Sequence, residues 1–115
     1  MLVLFDDVTP KGLARTLVGH TVHTAQSRGW GTLSNGELLS AAEDAGFDLL
    51  LTTDRRIRYQ QNLKGRRLAL VILTGSTKWS GVRQHADRIA AAVSSATPGS
   101  YSEVEIPLEP KRARA

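Results

Sequence analysis

Apolar positions along this chain fall into two kinds of stretch. Leu2 to Phe5, Phe47 to Thr53 and Leu68 to Leu73 are short, nearly continuous apolar runs, the pattern of strands buried on both faces. His20 to Ala25 and Tyr101 to Ile106 alternate instead, which predicts a second strand and a short edge strand. Between the runs, apolar residues recur at helical spacing. Leu13, Ala14, Leu17 and Val18 follow Thr9-Pro10, a cap and a first helical position, and stop at Gly19. Ser34 and Glu37 form a capping-box pair ahead of Leu38, Leu39, Ala41, Ala42 and Ala45. Trp79, Val82, Ala86, Ile89, Ala90 and Val93 mark one amphipathic helix running to about Ala96. Strands alternating with helices predict an α/β fold, a three-layer α/β/α sandwich around a mostly parallel sheet of four to five strands.

Composition narrows the class. A chain of 115 residues is one domain's worth, with a core that needs no staples. Residues 1–106 are expected to form the domain and 107–115 a basic, disordered tail. With no cysteine, disulfides and thiolate zinc sites are excluded, in keeping with a cytoplasmic protein. The opening apolar run ends at Asp6, and no run approaches the ~20 residues of a membrane span, so no membrane association is expected. The net charge of +4 is modest, but its placement is not even. Arg55, Arg56, Arg58, Lys64, Arg66 and Arg67 lie within thirteen residues directly after Asp54. Such a run is commonly a solvated face. Beside an acidic site it becomes a candidate grip for a polyanion, above all nucleic acid.

The candidate chemistry lies in the carboxylates. Two apolar strands end in acid, the first at Asp6-Asp7 and the third at Asp54. In a parallel sheet, functional residues gather at the carboxyl edge, which would bring these groups together. Their mutual repulsion calls for a cation. Oxygen ligands without cysteine favour Mg²⁺ or Mn²⁺, which orient a water and stabilise a phosphate under attack. The structural alternatives are specific. Asp7 serves equally well as a helix-end charge, Asp54 as an N-cap and Glu37 as the partner of Ser34. Glu37 is nonetheless placed to add a third metal carboxylate. Glu43, Asp44 and Asp48 read as solvated charges. His20, His23 and His85 form no motif. Trp30 and Trp79 could stack bases, although core packing is the commoner role for a lone tryptophan.

Four pieces of the chain together resemble a known family. They are Val3-Leu4-Phe5-Asp6-Asp7 with Pro10 and Leu13; Asn35-Gly36-Glu37-Leu38-Leu39 with Ala42; Leu51-Thr52-Thr53-Asp54; and Tyr59-Gln60-Gln61-Asn62-Leu63 before Gly65. Over roughly residues 2–96 the sequence resembles short PIN-like proteins, relatives of VapC-type toxin ribonucleases. The resemblance implies an α/β/α sandwich whose acids bind Mg²⁺ or Mn²⁺ and cleave RNA. Asp6 would be the first-strand ligand, Glu37 the helix-borne acid and Asp54 the late acid. It also implies a small antitoxin protein as partner, and homodimers. The chain is shorter than full-length members and offers three clear acidic positions where four are usual, with Asp7 as the substitute. Two other readings share parts of this pattern. One is a PIN-like module that binds RNA or protein without turnover. The other is a phospho-accepting receiver, with Asp54 and Thr74 at strand ends. Against the latter, little chain separates Asp54 from Thr74, and no Lys-Pro follows the fifth strand.

Overall fold

Alternate residues of each central strand are buried on opposite faces of one sheet, which is how the continuous apolar runs are accounted for. The computed structural model describes residues 1–6, 8–54, 56, 57, 65–76 and 78–107. The strands are β1 (Leu2–Phe5), β2 (Thr21–Thr24), β3 (Leu49–Thr52), β4 (Ala69–Gly75) and β5 (Tyr101–Ile106). They form a single five-stranded sheet in the order β2-β1-β3-β4-β5. Every neighbouring pair is parallel, with Val3 opposite Leu49 and Leu51 opposite Val71. Val3, Phe5, Leu49, Leu51, Val71 and Leu73 point to one face; Leu4, Leu50, Leu70 and Ile72 point to the other.

Each face is covered by a different set of crossovers. The first takes Leu13 and Leu17 from the β1–β2 connection, and Val82, Ile89 and Val93 from the β4–β5 connection. The second takes Leu38, Leu39 and Ala42 from the β2–β3 connection, together with Ile57. The fold is thus a three-layer α/β/α sandwich. The helix α1 (Asn35–Asp44) begins as expected: Ser34 Oγ accepts the Glu37 N–H, and the Glu37 side chain accepts the Ser34 N–H.

Two helices depart from expectation. Lys11–Thr16 is a 3₁₀ helix. It is one short piece, Gly12 contributes little helix preference, and the Thr16 hydroxyl bonds back to the Leu13 carbonyl. Gly12 also lies against the Trp79 indole, where a Cβ would come within 2.8 Å. The long helix predicted from Trp79 divides at His85 into α2 (Trp79–Gln84) and α3 (Ala86–Ser95). The His85 N–H bonds to the Val82 carbonyl, so the break is a tightened turn that leaves Val82 and Ile89 buried on either side. β1 and β5 match their expected limits, and the other strands begin or end up to two residues from theirs. Glu43 and Asp48 are not merely solvated: Glu43 accepts the Arg67 and Leu68 N–H groups, and Asp48 accepts the Leu2 N–H. Among the described residues no helix is long and apolar enough to cross a membrane. The tail expected over 107–115 lies, from residue 108 onward, outside the described residues.

Candidate functional site

Because β1 is flanked by β2 on one side and β3 on the other, the chain leaves β1 and β3 towards opposite faces. This strand order places a crevice outside their carboxyl ends, the position where open α/β sheets bind ligands. Asp6 follows β1 and Asp54 follows β3. Both line one cleft of about 160 Å³, walled by Val8, Ala25, Trp30, Gly31, Leu33 and Leu38. The cleft is therefore apolar at its sides and acidic at its base.

Asp6 is tied in from the loop after β1 and from the end of β3. Its Oδ1 accepts the Thr9 N–H at 3.1 Å and the Thr9 hydroxyl, and its Oδ2 accepts the Thr52 hydroxyl. Thr9 was expected as a helix cap; it instead holds Asp6, and Pro10 takes the capping position. Thr52, only 1% exposed, also accepts the Asp54 N–H at 3.0 Å and so links the two acids. Burial pushes the Asp6 carboxyl above its usual range. The hydroxyl and amide donors offset part of that shift, and the Asp54 charge adds to it.

Asp54 has the opposite character. Arg56 donates to both of its oxygens, Nε at 3.1 Å and Nη2 at 3.1 Å, and holds it below the usual carboxylate range. The Arg56 N–H caps Oδ1 at 2.9 Å, and Asn35 Nδ2 lies 3.5 Å from Oδ2. Glu37 does not line the cleft. Its carboxylate is held by Ser34, which lowers its pKa, although Asn35 brings the start of α1 next to Asp54. Asp7 lies outside the described residues.

The basic run does not stay together. Arg56 remains beside Asp54, but the chain then crosses to the start of β4. Arg67 lines a separate cavity with Met1, Asp48 and Ala69 at the amino edge, and Arg66 reaches Ser40 there. The backbones of the two arginines thus lie a strand's length from the acids, about 13 Å or more. A parallel strand must start at the edge opposite to the one where its predecessor ended, and the linear spacing conceals this. Arg55, Arg58 and Lys64 lie outside the described residues.

Arg28 went unnoticed in the sequence. Its guanidinium lies 4.9 Å from the Trp30 ring centre and 5.4 Å from that of Phe47. The Arg28-Gly29-Trp30 spacing offers a signal only once Trp30 is known to wall the cleft.

Two carboxylates in one cleft suit a Mg²⁺ or Mn²⁺ ion that keeps several waters. Asp6 retains about one acceptor site beyond its three donors, the Thr9 amide and the Thr9 and Thr52 hydroxyls, since a carboxylate offers about four lone-pair sites. Among the described residues no three metal-binding side chains come together, so the expected three-acid cluster is represented by Asp6 and Asp54. Comparisons with protein-family models, with curated proteins and with solved structures gave no match.

Proposed function

We propose that the protein is a PIN-like, metal-dependent ribonuclease that hydrolyses RNA phosphodiesters at the Asp6–Asp54 cleft. One observation carries the reading: a half-buried carboxyl with a raised pKa shares a strand-end cleft with a second carboxylate. A divalent cation would relieve that arrangement and would supply an activated water and charge stabilisation on the phosphate. Asp6 and Asp54 would hold the ion. Thr9 and Thr52 fix Asp6 through three hydrogen bonds, which leaves about one of its acceptor sites for the ion. Arg56 holds Asp54 in place and, being exposed, can turn from it to a phosphate oxygen. Glu37 would act on the water only by leaving Ser34. The resemblance extends the reading to a cytoplasmic toxin with a small antitoxin partner and a homodimeric state.

A second reading has an observation of its own. Arg56 neutralises Asp54 and Ser34 retains Glu37, the arrangement expected of a PIN-like module that binds RNA or a protein without turnover. Incubating labelled single-stranded RNA with Mn²⁺ or Mg²⁺ separates the two. Cleavage lost in EDTA and in Asp6→Asn supports hydrolysis at this cleft. Cleavage that persists in both rejects it, and metal-independent binding without cleavage favours the module. Labelling of Asp54 by acetyl phosphate would replace either with the receiver reading.

A further inference from the structure

The cleft that holds Asp6 and Asp54 is mostly apolar, which a site for an ion and a phosphate does not require. Val8, Ala25, Leu33 and Leu38 contribute aliphatic wall, and Trp30 contributes an aromatic one. The indole is half-buried and positioned from outside the cleft. Arg28 lies over its ring, and Phe47 meets it edge-on, with centroids 5.9 Å apart and planes at 70°. His23 also meets Phe47 edge-on at 5.8 Å, so the aromatic group is braced from β2. Gly31, next in the chain, also lines the cleft and adds no side chain that would cover the ring.

The geometry points to Trp30 as the base-stacking residue of this cleft, which takes one unpaired nucleobase of a single-stranded RNA. The aromatic face accepts any base, since every base has a π-face, and the aliphatic side chains take up its edges. A base stacked there sets the adjoining phosphodiester beside Asp6 and Asp54. Arg28, exposed behind the indole, lies within reach of the neighbouring phosphate. A duplex cannot present a base in this way without unpairing it, so the cleft selects single strands. This inference deepens the ribonuclease reading and rests on its placement of RNA in the cleft, but not on turnover.

Binding of single-stranded and duplex RNA of the same sequence by the 115-residue chain tests it. The Asp6→Asn variant keeps the RNA intact and removes one cleft charge. The chain has two tryptophans, so adding Trp79→Phe leaves Trp30 as the sole indole reporter. Single-stranded RNA is expected to quench its emission. Adding Trp30→Leu is expected to weaken single-strand binding roughly five- to hundredfold and duplex binding little, whereas Trp30→Phe keeps most of the affinity. Circular dichroism checks that each variant is folded, and if Trp30→Leu is not, quenching of the Trp30 emission by single-stranded but not duplex RNA decides. Equal single-strand affinity with leucine and tryptophan, no quenching, or an equal loss on duplex overturns the proposal. Failure of the ribonuclease reading looks different: wild type with Mn²⁺ then leaves RNA whole while the Trp30-dependent binding persists.

Discussion

The Thr52 hydroxyl donates to Asp6 across 46 residues of sequence, joining the ends of β3 and β1 beneath the cleft. The same oxygen accepts the Asp54 N–H, so one buried threonine sets the spacing of both acids. Thr52→Val keeps the shape and removes both bonds. It is expected to cost about 1.5–3 kcal/mol, because a half-buried carboxyl and an amide lose a partner together. Urea unfolding measures this, and an unchanged midpoint would show that the bond contributes nothing.

Asp6 carries a pH signature of unusual sign for a carboxylate. Its folded pKa is raised, so its contribution to stability is full below the unfolded pKa and is lost as pH rises through the folded value. Asp54 and Glu37 are lowered and act in the opposite direction, losing stability as pH falls through their folded values. The difference between wild type and Asp6→Asn isolates the first effect. Metal-free Asp6→Asn should match or exceed wild type in stability at neutral pH and lose that margin in acid. Mn²⁺ should raise the melting temperature of wild type but not of the variant. Denaturant midpoints from acid to neutral pH, with and without Mn²⁺, check both.

Glu37 and Ser34 form a reciprocal cap, which separates a structural from a catalytic role. Ser34→Ala should cost about 1 kcal/mol of stability. Glu37→Gln should keep most of the cap and leave RNA cleavage within a few-fold of wild type, while Asp54→Asn abolishes it. Loss of cleavage in Glu37→Gln at unchanged stability would move Glu37 into the catalytic group.

Arg56 competes with any cation for Asp54. Arg56→Gln should tighten Mn²⁺ binding several-fold, read by calorimetry. It should also weaken RNA binding and lower its salt dependence by about one counterion. Weaker Mn²⁺ binding in the variant would mean that Arg56 supports the ion site instead of blocking it.

Gly75 ends β4 at φ +83°, and a Cβ there would lie 2.1 Å from the Ile106 carbonyl oxygen. Gly75→Ala combines left-handed backbone strain with that overlap, and should destabilise the fold by about 2 kcal/mol or more. Thermal unfolding gives the measurement; a wild-type melting temperature would contradict the packing of β4 against β5.

Much of the fold was legible because its determinants are local. The continuous apolar runs of β1, β3 and β4 follow from burial on two faces, and the Ser34–Glu37 cap lies within four residues. The division at His85 was not legible, since apolar spacing continues through it and only packing on the sheet decides where the helix bends. Thr9 was misread for a related reason: a threonine before proline suits a cap, and its preference for Asp6 depends on where β1 ends.

The sequence by itself determined that two buried strands end in acid and that a basic run follows the second. Only the tertiary structure decided what meets what. The strand order put β1 beside β3, and so Asp6 beside Asp54. The parallel crossover carried Arg66 and Arg67 to the far edge, and the turn after β2 brought Trp30 to the cleft wall. Strand and cap preferences act over a few neighbouring residues. The site depends on contacts between segments tens of residues apart, and their meeting is set by how the two faces of the sheet are buried.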